Sequence, residues 1–402
     1  MLNSSSITSK MKSESSAVEN TFQKLAIISY GFFVVIQVLG LSSWGLFLPG
    51  FKSTNSKLAL VVLLLTILFG AFSKWSIKRM LLFLMFSCGL IAYVLLYRSS
   101  IIAFCFLAIL AGQGIPFTKL LKIDFFSRIS SIIFVVTLSF FDILPRSGAG
   151  SQITGFLFTQ FSYGFTYPNI LGYLLLIVFI ESYVLYAHTS WQKFTLVVCT
   201  AIIEINLNYL TGLGGVIVSL LAVGLFQREG TNEITQKITF RLFTIGTCIL
   251  FWGGVLGSLF VAQNYNSSSD LWNASNKLFS LRFPIWQYYF LNWPPNFWGN
   301  VISVNQTTLG LVGFGAFDGA YLFFLLKFGI VGIGLIFLSF LFGLLGHKSS
   351  FVRRVLVMLL ATILVTGIPE TNGFLISFGP LFLLLGSSSV FTVQNEETGL
   401  NV

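Results

Sequence analysis

The sequence predicts an all-α polytopic membrane protein, on three observations. Hydrophobic residues make up 55% of the 402 and charged residues only 9%, whereas soluble domains carry roughly 25% charged residues. The apolar residues fall in long runs, close to the about 20 a helix needs to cross a bilayer. The two His and four Cys give no metal-ligand spacing and too few bridges for a disulfide scaffold. So little charge cannot cover a water-soluble globule of this length, and so much hydrophobicity excludes a disordered chain.

Taken in order, residues 1–24 are polar and Ser-rich and are expected to form a disordered cytoplasmic tail. No small-residue cleavage pattern follows the first apolar run, so this is not read as a cleaved signal. Apolar segments follow at 25–48, 58–73, 80–97, 99–115, 126–145, 168–187, 194–210, 213–226, 241–263, 319–345, 351–368 and 373–391. These twelve are expected to form one transmembrane bundle over 25–391, with 392–402 a second cytoplasmic tail. The segment at 213–226 is short enough to be tilted or partly re-entrant. Cys88, Cys105, Cys199 and Cys248 all lie inside apolar runs, as buried small hydrophobes do.

Charge sets the expected orientation. With the N-terminus inside, 16 of the 23 Lys and Arg fall on the cytoplasmic side, Arg128 among them. Basic residues hold loops inside, so both termini are expected to be cytoplasmic and the net charge of +10 is topogenic rather than a nucleic-acid footprint. Two outer loops are long, at about 146–167 and 264–318, the second lying before helix 10. Loops of that length in a compact bundle are functional or disordered. The second is rich in aromatics, and Trp286, Trp293 and Trp298 suit either an interfacial belt or a platform stacking on sugar rings.

The chemistry-bearing candidates are ionic groups left on the outer side. Arg282, in SLRFPIW, is placed to pair with a phosphate oxygen or with a nearby acid. Arg146 follows the fifth segment and suits a phosphate or a helix-end anchor, whereas Arg98 is most simply a snorkelling anchor. Asp318 opens the tenth segment, where a carboxylate either complements the helix dipole or takes a proton from an acceptor hydroxyl. Lys327 lies nine residues on, on a similar face within the membrane. Glu370, in GIPETNGF, is a second outer carboxylate or a plain loop acid. Glu204 falls in the outer half of its segment and Glu181 in the inner half, the latter expected as a hydrogen-bonding group of the bundle interior. The chain has no phosphate-binding loop, no GxSxG, no HExxH and no DxD, so no cofactor and no metal are expected.

With these residues in view, the layout resembles the Wzy-type polysaccharide polymerases, in the superfamily of the O-antigen ligases. The patches that carry the likeness are GFTYPNILGYLLL at 164–176, RFPIWQYYF with PPNFWGN at 282–300, FDGAYLFFLLKFGIVGIG at 317–334 and VTGIPETNGF at 365–374. They are spread, in order, over about half of the chain. The resemblance implies glycosyl transfer at the outer face of a bacterial cytoplasmic membrane. The donor is an oligosaccharide repeat unit on undecaprenyl pyrophosphate, neither metal nor nucleotide sugar is needed, and the product is capsular or exopolysaccharide. It implies that Arg282 holds pyrophosphate, helped by Arg146, and that Pro168 and Asn169 form the family's Pro-Asn turn. Asp318 stands where ligases tend to have His, which favours a polymerase. On that reading Arg282 and Asp318 are catalytic, and Arg146, Asn169, Trp286 and Glu370 bind substrate. The chain departs from the family where a Ser-Arg pair opens the eighth segment, because Thr211, Gly212, Leu213 and Gly214 stand there. That leaves Arg146 or Arg98 to supply the second cation. An O-antigen-ligase-like transferase and a lipid-linked oligosaccharide flippase remain the alternatives; other assembly proteins of the membrane are expected neighbours.

Overall fold

The computed structural model describes residues 4–74, 101–147, 161–227, 233–279, 281–302, 318–345 and 349–388. The expected segment at 80–97, Arg98, most of the 146–167 loop and the tail at 392–402 lie outside them. Helix accounts for 79% of the structure, with no strand among the described residues. The helices are α1 (Ser4–Gly40), α2 (Trp44–Phe47), α3 (Phe51–Lys74), α4 (Ile101–Gly112), α5 (Phe117–Phe140), α6 (Pro168–Leu185), α7 (Ser190–Asn206), α8 (Leu210–Gln227), α9 (Glu233–Asn264), α10 (Asp270–Leu278), α11 (Phe283–Asn292), α12 (Ala320–Leu345), α13 (Ser350–Thr366) and α14 (Leu381–Ser388).

Six of these, among the described residues, are long and apolar enough to cross a membrane: α1, α3, α5, α6, α9 and α12. Their outward faces stay apolar. Along α9, Leu242, Ile245, Ile249, Leu256 and Phe260 are all exposed, a stripe that water would not tolerate and lipid would. Inward, α13 and α8 pack together, α14 packs on α4, and α1 lies against α3 and α5.

Three elements differ from the sequence reading. The stretch 1–24 was expected as a disordered tail, yet α1 is helical from Ser4. Once the apolar turns beyond residue 24 nucleate a helix, the nucleation cost is met and each residue added backwards, mostly Ser with Lys and Glu, costs only its modest propensity. The apolar segment at 373–391 is not one helix. It is a 3₁₀ turn at Asn372–Phe374, an irregular stretch, then α14, which starts directly after Pro380, a residue suited to open a helix and not to continue one. Within the 264–318 loop the aromatic run folds into α10 and α11.

Arg128, expected in a cytoplasmic loop, is instead buried in α5. Its Nε and Nη2 donate to Asp124 at 2.9 Å each, one turn back, and its Nη1 donates to the Phe378 carbonyl at 3.1 Å. Tyr30 of α1 completes the knot, its hydroxyl donating to Asp124 at 2.5 Å. A fork of this kind satisfies a guanidinium that lipid would otherwise expel.

The tenth segment is one helix with a break. Gly329 has φ +70° and ψ −175°, a conformation open to glycine alone. The loop at 296–300 mends the backbone there: Asn300 N–H donates to Leu326 O at 3.0 Å, Ile330 N–H to Asn296 O at 3.1 Å and Val331 N–H to Phe297 O at 3.1 Å. The long loop is thereby pinned along α12.

Candidate functional site

Arg282, Asp318 and Glu370 lie far apart in the chain and meet at one end of the bundle. Local backbone aims each of them. Leu281 takes a left-handed φ of +61°, its N–H held by Asn276 O at 2.8 Å, and Asn276 Oδ1 accepts from Phe283 N–H at 2.9 Å. That turn delivers Arg282 as the residue before α11. Gly319, with φ +98°, lets the chain turn from Asp318 into α12. The first amide of α12, Ala320 N–H, donates to Gly367 O at 2.8 Å and Glu370 O at 3.2 Å. This ties the start of α12 to the turn after α13 and brings the two carboxylates to one cation.

Arg282 Nη2 lies 3.3 Å from Asp318 Oδ2 and 3.8 Å from Glu370 Oε1. Charge-assisted N–H···O pairs close to about 2.7–2.9 Å when tight, so this guanidinium is loosely held. Its Nη1 reaches Phe279 O at 3.4 Å, and its buried Nε has no hydrogen-bond partner among the described residues. Glu370 is fixed from the other side, Oε2 accepting from Tyr209 O–H at 3.0 Å and Asn372 Nδ2–H at 2.8 Å. Trp286 lies under the site and its Nε1–H donates to Asp318 O at 2.7 Å.

The two carboxylates differ in access. Asp318 keeps 26% of its side chain exposed, Glu370 only 4%. Burial raises the Asp318 carboxyl, and Arg282 opposes it. Burial also pushes Glu370 up to about 7, against the pull of Arg282 and with the help of the Asp318 charge. With one cation facing two acids, the site passes from neutral to net negative as Glu370 loses its proton near neutrality.

Beside Glu370 lies a fourth ionisable group. Glu204 of α7 is fully buried and both its carboxyl oxygens lack partners. Two glycines make room for it: a Cβ at Gly172 of α6 would fall 2.8 Å from Glu204 Oε2, and one at Gly212 of α8 2.6 Å from it.

Of the residues singled out from sequence, Arg282, Asp318, Glu370 and Trp286 come together. Arg146 does not. It pairs with Asp142 at 3.2 Å and donates to Ser139 O and Phe140 O, closing the end of α5, so the anchor reading of Arg146 describes its contacts. Asn169 is half-buried in the first turn of α6 and makes none of the hydrogen bonds at Arg282, Asp318 or Glu370. Trp286 is 1% exposed, so its ring faces are covered and serve neither as belt nor as sugar platform. Trp298 is 56% exposed and keeps either role open. Lys327 lies over the rings of Phe323 and Phe328, at 5.1 and 5.9 Å. Glu181 is buried beside the Asp124–Arg128 pair in the bundle interior. Sequence reasoning missed Tyr209 and Asn372. Asn372 carried a signal, standing two residues after Glu370, whereas Tyr209 is brought in from another helix pair by tertiary contact alone.

No protein-family model, no curated protein and no solved structure matches this chain.

Proposed function

We propose that the protein is a Wzy-like polymerase, joining undecaprenyl-pyrophosphate-linked repeat units into capsular or exopolysaccharide. It works at the outer face of a bacterial cytoplasmic membrane, with about twelve crossings and both termini inside. The observation that carries the reading is the loosely held Arg282 guanidinium, its Nε unpartnered among the described residues, between two carboxylates at the end of an apolar bundle.

That set meets the minimum chemistry of the transfer. Pyrophosphate is already a good leaving group, so the protein must position the reactants, hold the departing charge and accept one proton. Arg282 exchanges a carboxylate for a phosphate oxygen of the donor. Asp318, the acid that solvent reaches, takes the proton of the acceptor hydroxyl as its oxygen bonds to the anomeric carbon. The bond from that carbon to pyrophosphate breaks, and the lipid diphosphate leaves on Arg282. Glu370 holds the guanidinium from behind, and its protonation sets the charge that an incoming phosphate meets.

The test is Arg282→Ala in the producing strain. Long-chain polymer disappears while lipid-linked single repeats accumulate and the protein stays in the membrane at wild-type level. Normal chain length from such a variant overturns the reading. Intact polymer that is no longer attached to its final acceptor indicates a ligase instead.

A further inference from the structure

The stretch that follows Arg282 lies alongside the spans rather than above them. Phe283, Trp286 and Tyr289 of α11 form one buried cluster with Leu322 and Leu326 of α12 and Ala262 of α9, and both of those helices are long and apolar enough to cross a membrane. The segment after α11 continues along α12. Its backbone bonds reach Val331, about 16 Å along the helix from Ala320. Two glycines permit that approach: a Cβ on Gly299 would overlap the Lys327 carbonyl, and one on Gly329 the backbone of Phe297 and Gly299.

This stretch is built for a place with little water. No charged residue and no His stands between Arg282 and Asp318. Irregular backbone near lipid needs its polar groups satisfied within the protein, and here many of them are. Pro294 and Pro295 have no N–H to satisfy. Asn296 Oδ1 accepts from Gly299 N–H, and Asn296 Nδ2–H donates to Asn300 Oδ1 at 2.8 Å. Asn300 Nδ2–H donates to Pro294 O at 3.0 Å and Leu326 O at 2.8 Å. The large apolar groups turn the other way. Leu291, Phe297, Trp298 and Val301 are each more than half exposed, a costly surface in water but a favourable one where headgroups meet acyl chains. The strip also continues one that already suits lipid. Leu345, Phe342, Leu338 and Leu335 are exposed along α12, and Ile330, exposed as well, donates its N–H to Asn296 O.

We propose that Leu291, Phe297, Trp298 and Val301 form a membrane-inserted wedge, an interaction surface for the upper acyl chains of the leaflet on the Arg282 side. The wedge holds the turn before α11 at the level of the headgroups. It assigns Trp298 to lipid and not to sugar, and it stands whatever reaction the Arg282 cluster performs.

The full chain, its Cys replaced by Ser, is reconstituted into bilayers of phosphatidylethanolamine and phosphatidylglycerol. A nitroxide is attached at Phe297→Cys, Trp298→Cys or Val301→Cys, one at a time. Its collisions with oxygen and with a water-soluble nickel chelate are read by paramagnetic resonance. Leu338→Cys on α12 is the lipid reference, and Ser268→Cys, exposed before α10, is the water reference. The three wedge positions give an oxygen-to-nickel ratio several-fold above Ser268→Cys and close to Leu338→Cys. A ratio equal to that of Ser268→Cys overturns the wedge and leaves a water-facing surface, as a sugar platform would be. Few collisions with either reagent overturn it too, because protein, such as a second copy of the chain, then covers the strip. Should the Cys-free chain fail to fold, lipids brominated on their acyl chains decide with the native Cys in place. The tryptophan emission that Trp298→Phe removes is then quenched by bromination, and emission that survives it undiminished overturns the wedge.

Discussion

Replacing Glu370 by Gln changes how stability depends on pH, and the size of the change follows from the structure. Glu370 rises from its ordinary 4.5 to about 7 because it is buried. Between those values the folded protein keeps a proton that the unfolded chain releases. The folded state therefore binds more protons, and stability falls as pH rises through this window. A rise of that size is worth about 3 kcal/mol in full, most of which develops between pH 5 and pH 8. Gln preserves the shape, and its carbonyl oxygen can still accept from Tyr209 and Asn372, as Glu370 Oε2 does. What it loses is the titration and the 3.8 Å pairing with Arg282. Unfolding in mixed micelles at a series of pH values measures the difference. The variant gains about 2–3 kcal/mol on wild type between pH 5 and pH 8, whatever its offset at pH 5. Parallel curves for the two proteins would refute the reasoning, since they mean that Glu370 titrates alike folded and unfolded.

Two further perturbations probe the interior. Arg128→Ala strands Asp124, which is fully buried, and should cost about 3–5 kcal/mol, whereas Arg128→Met with Asp124→Leu should cost far less because no charge is left unpaired; chemical unfolding of the three proteins in micelles decides it, and equal losses would remove the ion pair as the cause. Gly212→Ala sets a methyl 2.5 Å from Tyr209 Cδ1 and 2.6 Å from Glu204 Oε2 and should cost about 1–3 kcal/mol as an overpacking. Glu204→Ala in the same chain should recover part of that loss, as a thermal-stability cycle on the four proteins would show, and additive losses would place the whole clash on the Tyr209 ring.

How the cluster could be read in advance differs residue by residue. Arg282, Asp318 and Glu370 stood out because each is an ion expected on the outer side of an apolar bundle, where a charge kept against the usual bias needs a reason. That reasoning is local, so it also selected Arg146, whose guanidinium, among the described residues, meets the end of its own helix. It assigned Arg128 to a loop because sequence counts a cation without seeing the acid one turn before it wrap its guanidinium.

What the sequence determined by itself is the solvent and the class of fold. So few charges among so many apolar residues leave the chain at home in lipid, where only backbone that satisfies itself can cross, and the described residues form helices accordingly. Tertiary structure decided which ions meet. Arg282, Asp318 and Glu370 come from the turn before α11, the turn before α12 and the turn after α13, and they meet because Ala320 N–H bonds back to Gly367 and Glu370. Such a bond joins residues whose separation in the chain says nothing of their distance in space. Hydrophobic patterning fixes which face of a helix is buried, but the packing of one helix on another fixes which loops share an end.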